Sequence, residues 1–423
     1  MRMHPADQIV SIMNRIYQNG LTTTSGGNLS ILDESGDIWI TPSGVDKGTL
    51  TRDDIVCVKP GREIIGRHKP SIELPFHASV YKRRPDFRAV LHAHPPKTVA
   101  FSVLRRLPEI NLKPTSRHIC EKLTIAPYAV PGSAKLGDII SSKFAKGFNI
   151  VVMENHGLVV GGKNLFECYM KFETLEAAAE LQILANKIGK ITPVCDSDFA
   201  KFQIGAIGAG SDTTRTDSAD SDEFALRYDM ITFIRRSCRQ DLFGCAHGTI
   251  SAKLADGGFL ITPHGFDRAY ITENDLVLIK NGKNDSGKTP SLAVGLHAQI
   301  YEKHPDIKSI ITAEPPHAMA FAVTDAIFDA RTIPESYILL RNIKKTNLSD
   351  AVDTLCEESP VLICENNQIL ATGDSMLKAF DRLEVCEATA KAIISAVEMG
   401  EIIHISDDEI KKIDHEFNLK YST

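Results

Sequence analysis

The chain repeats itself, and that repeat limits it to folds that can be built twice. In register, Ile40-Thr41-Pro42-Ser43-Gly44 is answered by Ile261-Thr262-Pro263-His264-Gly265, and His77-Ala78-Ser79-Val80-Tyr81 by His297-Ala298-Gln299-Ile300-Tyr301. Ala93-His94-Pro95-Pro96 is answered by Ala313-Glu314-Pro315-Pro316, Glu154-Asn155 by Glu365-Asn366, and Glu173 and Glu176 by Glu384 and Glu387. The 423 residues therefore hold two copies of one fold, each long enough for its own core. Residues 205–222 break the pattern: apolar residues thin out and Asp, Ser and Thr alternate, as in a flexible linker. The expected organisation is a first domain over 1–204, the linker 205–222 and a second domain over 223–423.

Apolar spacing predicts the elements of the first copy. Gln8–Tyr17 has a helical period, Ile38-Trp39-Ile40 reads as a short strand, and Ser71 to Val80 reads as a helix start with Ser71 as N-cap and Glu73 in the first turn. A helix is expected around Leu136 to Phe144, and a long closing helix from about Leu165 to Ile188. Thr22 to Ser30 is a loop of Gly and small hydroxyl residues, which lets backbone amides approach an anion.

Val90-Leu91-His92-Ala93-His94 reads as a buried strand ended by Pro95-Pro96. Side chains two apart share a face, so His92 and His94 project together. His156, at the end of another strand-like run, offers a third imidazole. Three His with an open position describe a catalytic rather than a structural zinc site. An isolated His-x-His also arises by chance, and Glu73 could serve only as a favourable charge near a helix N-terminus. The repeat separates these readings. His92, His94, His156 and Glu73 become Thr312, Glu314, Asn367 and Ala293, while His77/His297 and Tyr81/Tyr301 persist. Packing residues would be needed twice. The three His and Glu73 are lost together and so behave as one functional set, and Asn28 and Ser43 change as well, to Thr249 and His264.

The remaining composition excludes some function classes. Hydrophobic content of 43%, charged content of 24% and a net charge of −6 describe a globular chain without the basic surface that nucleic acid or an anionic membrane would select. No apolar run approaches the length of a membrane span, and Met1 to Ala6 lack the pattern of a signal peptide. Nine Cys, an odd number without a Cys-x-x-Cys pair, suit reduced thiols. A cytoplasmic protein is expected.

Gly27-Asn28-Leu29-Ser30, Thr41-Pro42-Ser43-Gly44, Pro70-Ser71-Ile72-Glu73, His92-Ala93-His94 and Asn155-His156-Gly157 together give the chain its family resemblance. In this order and spacing they resemble the class II aldolase/adducin family, and the second half follows the same frame without the chemistry, as adducin's head does. The resemblance implies an α/β fold of three layers, a central and mainly antiparallel sheet flanked by helices, present here as two tandem copies. It implies that His92, His94 and His156 bind one divalent metal per chain, zinc first, with Mn2+ or Co2+ as alternatives. Glu73 would be the acid/base, and Asn28, Ser43, Gly44 and Ser71, with Ser25, would hold a phosphate or other anionic end. The implied activity is a zinc-dependent aldolase cleaving a small sugar phosphate or sugar acid through a metal-stabilised enediolate. Epimerase, dehydratase and decarboxylase chemistry use a similar triad, and a non-catalytic scaffold of the adducin type is the alternative from another class. Sugar-phosphate aldolases of the family usually carry Ser-Ser-Glu where this chain has Ser71-Ile72-Glu73, so phosphate and carboxylate both stay open as the anionic group. Tyr128 and Tyr421 are the candidates for the family's aromatic proton donor. Members often form rings of four with sites at subunit boundaries, so a homodimer with pseudo-four-fold symmetry and two metal sites is expected.

Overall fold

The computed structural model describes residues 3–194, 221–284 and 288–419. The linker expected over 205–222 lies outside the described residues except for Ser221 and Asp222, which open the helix Ser221–Arg239. The described chain divides into two compact units. One holds the chain up to Ile110 together with Thr115–Glu180, and the other holds Asn111–Pro114 together with the chain from Leu181 onward. The division thus falls inside the long helix Leu165–Ile188, twenty-odd residues before the expected boundary at 204. Its last turns and the short Asn111–Pro114 segment pack with the second copy: Leu112, Leu181, Leu184 and Ala185 belong to that copy's core.

The first unit is built on eight strands: β1 (Asn28–Leu32), β2 (Ile38–Ile40), β3 (Val56–Val58), β4 (Ile64–Ile65), β5 (Ala89–Ala93), β6 (Leu123–Ala126), β7 (Ile150–Met153) and β8 (Gly157–Gly162). They lie in the order β4-β3-β2-β1-β5-β8-β7-β6. Every neighbouring pair is antiparallel except β6 and β7. The second unit repeats the order with β9 (Thr249–Lys253), β10 (Phe259–Ile261), β11 (Val277–Lys280), β12 (Lys283–Asn284), β13 (Ser309–Ala313), β14 (Lys344–Thr346), β15 (Val361–Cys364) and β16 (Gln368–Gly373). Again only β14 and β15, the pair matching β6 and β7, run parallel. The expected α/β fold, a mainly antiparallel sheet with flanking helices in two copies, is what the chain forms.

Central β5 explains the site's placement. All five of its residues are buried, because β1 and β8 cover both edges and helices cover the faces. Register places Asn28 of β1 opposite His92 of β5, and the second copy keeps that register as Thr249 opposite Thr312. The frame is therefore conserved to the residue while the chemistry changes.

One local expectation needs correction. The helix after the third motif spans Leu74–Arg83 with Glu73, not Ser71, at its N-cap. Ser71 instead closes the preceding turn: its carbonyl accepts from the Leu74 N–H and its Oγ from the Glu73 N–H. Pro75 sits in the first turn, where a missing N–H leaves no helix hydrogen bond unmade.

Candidate metal centre

His92, next to last in β5, is tightly constrained. Its Nδ1 is 2.9 Å from the Leu158 carbonyl on β8, and a carbonyl only accepts, so Nδ1 carries the proton and Nε2 keeps a bare lone pair. His94 follows two residues later, directly after β5. Glycines leave room for both. A Cβ on Gly157 would lie 2.6 Å from the Ala93 carbonyl and from His94 Cδ2, and one on Gly27 would lie 2.7 Å from the His92 carbonyl. His156 stands in the turn between β7 and β8, where Asn155 takes a φ of 54°, a conformation Asn tolerates better than most residues.

The three imidazoles converge. One ring nitrogen from each lies within 4.8 Å of the others, and the ring centroids are 4.8, 5.0 and 5.2 Å apart. His92 is buried, whereas His94 and His156 are half-buried. All three are held neutral. Burial drives His92 down to about 3, helped by His156 and opposed by the Leu158 hydrogen bond. Burial also lowers His94, to about 4, with His92 adding to the shift and Glu73 opposing it. His156 is lowered by burial first and by His94 second, again against Glu73. Neutral rings offer lone pairs, the form a metal requires.

Glu73 completes the cluster. It is 6% exposed, and its Oε2 lies 3.5 Å from His92 Nε2. Since that nitrogen is bare, two acceptors face each other, an arrangement that a cation between them relieves. His94 Nε2 and His156 Nδ1 are buried without a protein partner. Buried polar atoms are rarely left so. The donor set therefore fits a divalent ion.

The expected anion-binding residues gather on three neighbouring loops. The Leu29 N–H donates to Thr41 Oγ1, the Ser71 N–H to the Thr41 carbonyl, and the Ser43 N–H to the Lys69 carbonyl. Ser43 is half-buried, Gly44 and Ser25 are exposed and Ser71 is buried. Asn28 takes a different place: its Nδ2 donates to Glu73 Oε2 at 2.6 Å, and its Oδ1 accepts from His77 Nε2 at 2.6 Å. Tyr128 is 51% exposed, with its backbone N–H on Glu154 Oε2. Ile72, in the position that departs from Ser-Ser-Glu, is 67% exposed, and a Cβ on Gly132 would touch it at 3.3 Å. Tyr421 lies outside the described residues.

Two residues without a site role in the sequence motifs support the site. Lys47 is buried, and its ammonium braces the turn around Ser43 and Gly44 by donating to the Pro42 and Val45 carbonyls. Burial lowers its pKa, and Asp46 opposes the shift. Its counterpart Arg268 likewise donates to loop carbonyls, of Gly248 and Phe266, so a repeated basic position was the available signal. The other is His77, whose recurrence as His297 reads as packing and which reaches the site through Asn28.

The second unit has no such cluster among its described residues. Glu314, in the place of His94, pairs with Lys113 instead.

The family model for the "Class II Aldolase and Adducin N-terminal domain" matches twice, over residues 7–183 and 228–394. The chain is 34% identical over 178 residues to a 3-oxo-tetronate 4-phosphate decarboxylase of Pectobacterium atrosepticum, covering 41% of this chain and 81% of that protein. It is 32% identical over 181 residues to an L-fuculose phosphate aldolase of Methanococcus maripaludis, covering 43% of this chain and 97% of that protein. A solved L-fuculose 1-phosphate aldolase aligns at 25% identity and a TM-score of 0.42, over 48% of this chain and 95% of its own. With both of its halves matched by the one family model, the chain belongs to the class II aldolase/adducin family.

Proposed function

We propose that this protein is a cytoplasmic, zinc-dependent lyase that breaks a carbon–carbon bond beside the carbonyl of a small phosphorylated or acidic sugar. One observation carries the reading: three neutral imidazoles and one buried carboxylate converge in the copy that retains them. His92, His94 and His156 would hold the ion, with Mn2+ or Co2+ able to replace zinc. When bound, the cation supplies Lewis-acid stabilisation of negative charge developing on the substrate's carbonyl oxygen.

The protein's own groups do the rest. Glu73, held through Oε2 by Asn28, is the carboxylate placed to take a proton from a substrate hydroxyl and return one to the carbon freed by cleavage. Ser43, Gly44, Ser71 and Ser25, on loops tied together by backbone hydrogen bonds, would receive the anionic end of the substrate, with the Lys47 ammonium beneath one turn. Asn28 contributes by holding Glu73. The active species would be a homodimer with one metal site per chain.

Retro-aldol cleavage is the leading reaction. Decarboxylation is the second reading, favoured by the 34% identity to the tetronate phosphate decarboxylase. Ketose 1-phosphates assayed for a three-carbon product, against 3-oxo-tetronate 4-phosphate assayed for carbon dioxide, separate the two. Glu73→Gln should lower kcat roughly 10²- to 10⁴-fold with bound metal unchanged, the usual range for loss of a general acid/base. Full turnover by that variant would remove Glu73 from the mechanism, and a wild type with neither activity would leave the scaffold role.

A further inference from the structure

We infer that His77 is a positioning residue for Glu73: it fixes which way the Asn28 amide points, and thereby where the acid/base carboxylate is held. The inference rests on the lyase reading above for the role of Glu73, but its hydrogen-bond geometry stands independently of any substrate.

The argument is one of donors and acceptors. Asn28 Oδ1 has no hydrogen, so His77 Nε2, 2.6 Å away, must donate to it. Burial holds the His77 ring neutral, with His92 adding to the effect, so the ring has a single N–H to give. With that proton on Nε2, Nδ1 is bare and accepts from Ser30 Oγ at 2.6 Å. Ser30 Oγ, having given its proton, accepts from the Tyr81 hydroxyl at 2.7 Å. At the other end, Asn28 Nδ2 donates to Glu73 Oε2 at 2.6 Å. One direction of donation runs from Tyr81 through Ser30, His77 and Asn28 to Glu73. Every link is buried. Turning the amide over would set Oδ1 against the Glu73 carboxylate, two acceptors in contact.

The second copy is an internal control. Ser251 Oγ lies 2.7 Å from His297 Nδ1 and 2.8 Å from the Tyr301 hydroxyl, so the Tyr–Ser–His part recurs and serves the fold. Beyond His297 the line stops. Thr249 stands where Asn28 does and bonds Ser291, Ala293 stands where Glu73 does, and His297 Nε2 is buried without a partner. The link from imidazole to amide to carboxylate exists only in the copy with the metal cluster. His77 therefore has a packing duty that it shares with His297 and a site duty that it does not.

Full-length protein labelled with ¹⁵N-histidine tests the direction of the bonds without substrate. Signals are assigned by their loss in His77→Gln and His297→Gln. The expected His77 ring is protonated at Nε2 and bare at Nδ1, and a bare Nε2 overturns the inference. Kinetics on the zinc-loaded protein test the consequence. His77→Phe should lower kcat roughly tenfold or more with KM changed less than threefold. His297→Phe, which removes the same packing triad from the other copy, should leave kcat within about twofold. His77→Gln, which can donate to Asn28 and accept from Ser30, should recover most of the loss. Equal kcat for His77→Phe and His297→Phe, or no recovery by His77→Gln, overturns the inference. A wild type that binds zinc and turns over neither substrate class overturns the lyase reading instead, and the ring spectrum still decides the bond direction.

Discussion

At the scale of single residues, the site depends as much on what is absent as on its ligands. Gly27 takes a φ of 73°, and a Cβ there would meet the His92 carbonyl at 2.7 Å and the Ala93 Cα at 3.2 Å. The obstacle is backbone, not the movable end of a side chain, so β5 itself would have to shift. Gly27→Ala should therefore cost about 1–3 kcal/mol, the range for a forced backbone conformation, before any contact term is added. Because the displaced atoms belong to His92 and Ala93, metal affinity should fall with stability. Denaturant unfolding and chelator competition on the same variant measure both. Unchanged zinc affinity with reduced stability would show that the loop yields instead of β5. Gly157 applies the same limit from the β8 side, against the Ala93 carbonyl and the His94 ring.

At the scale of elements, the strand bearing the histidines is anchored by a helix distant in sequence. The helix Pro96–Val103 begins directly after His94-Pro95, and its free N–H groups need acceptors. Glu176, on the long helix Leu165–Ile188, supplies them: it accepts from the Lys97 and Thr98 N–H groups and from Thr98 Oγ1, each at 2.8 Å. Burial raises its pKa and those three bonds oppose the rise. Glu387 accepts from His317 and Ala318 in the same way, so the clamp belongs to the fold. Glu176→Ala and Glu387→Ala should each cost about 1–3 kcal/mol by orphaning buried donors. Only Glu176→Ala should also weaken zinc binding, since only the helix it clamps follows His94; equal zinc affinity in both variants would show that His94 is held without the clamp. Elements of this kind were largely legible in the sequence. The long helix spans Leu165–Ile188 as its periodicity predicts, and Gln8–Tyr17 lies within the observed Pro5–Gln18. The convergence of His92, His94 and His156 was legible too, because their joint replacement in the second copy sets them apart from the packing residues that both copies keep. Side-chain partners were not. The family resemblance implies Asn28 as an anion contact, and in the fold its amide also engages Glu73 and His77, residues 45 and 49 positions away. Nothing local in a sequence encodes that pairing. The Ser71 cap failed for a nearer reason: Ser71 closes the turn ahead of the helix, and its Oγ is taken by the Glu73 amide.

At the scale of the whole molecule, the chain has two frames and, among the described residues, one cluster of three His, and the second frame holds its own cation. Asn111–Pro114 packs with the second unit, where Asn366 Nδ2 donates to the Leu112 carbonyl and Lys113 pairs with Glu314. The Lys113 and Glu314 side chains are 5% and 15% exposed. Glu314 occupies the position of His94, so an ammonium meets the second frame at a position where the first offers an imidazole. Breaking such a pair leaves an uncompensated buried charge, which makes it hard to displace. Thr312 and Asn367 complete the loss, since a hydroxyl and an amide are poor substitutes for neutral imidazoles on a transition metal. Zinc-loaded protein, passed over a desalting column, should therefore hold one zinc per 46.5 kDa chain. His92→Ala should hold none. Light scattering on the same sample should give a homodimer, so two zinc ions per particle. Two zinc ions per chain would place a second site in the unit that lacks the histidines, and full zinc content in His92→Ala would remove the β5 histidine from the centre. A fully active monomer would overturn the homodimer while leaving the metal count intact, because His92, His94 and His156 all come from one unit of one chain.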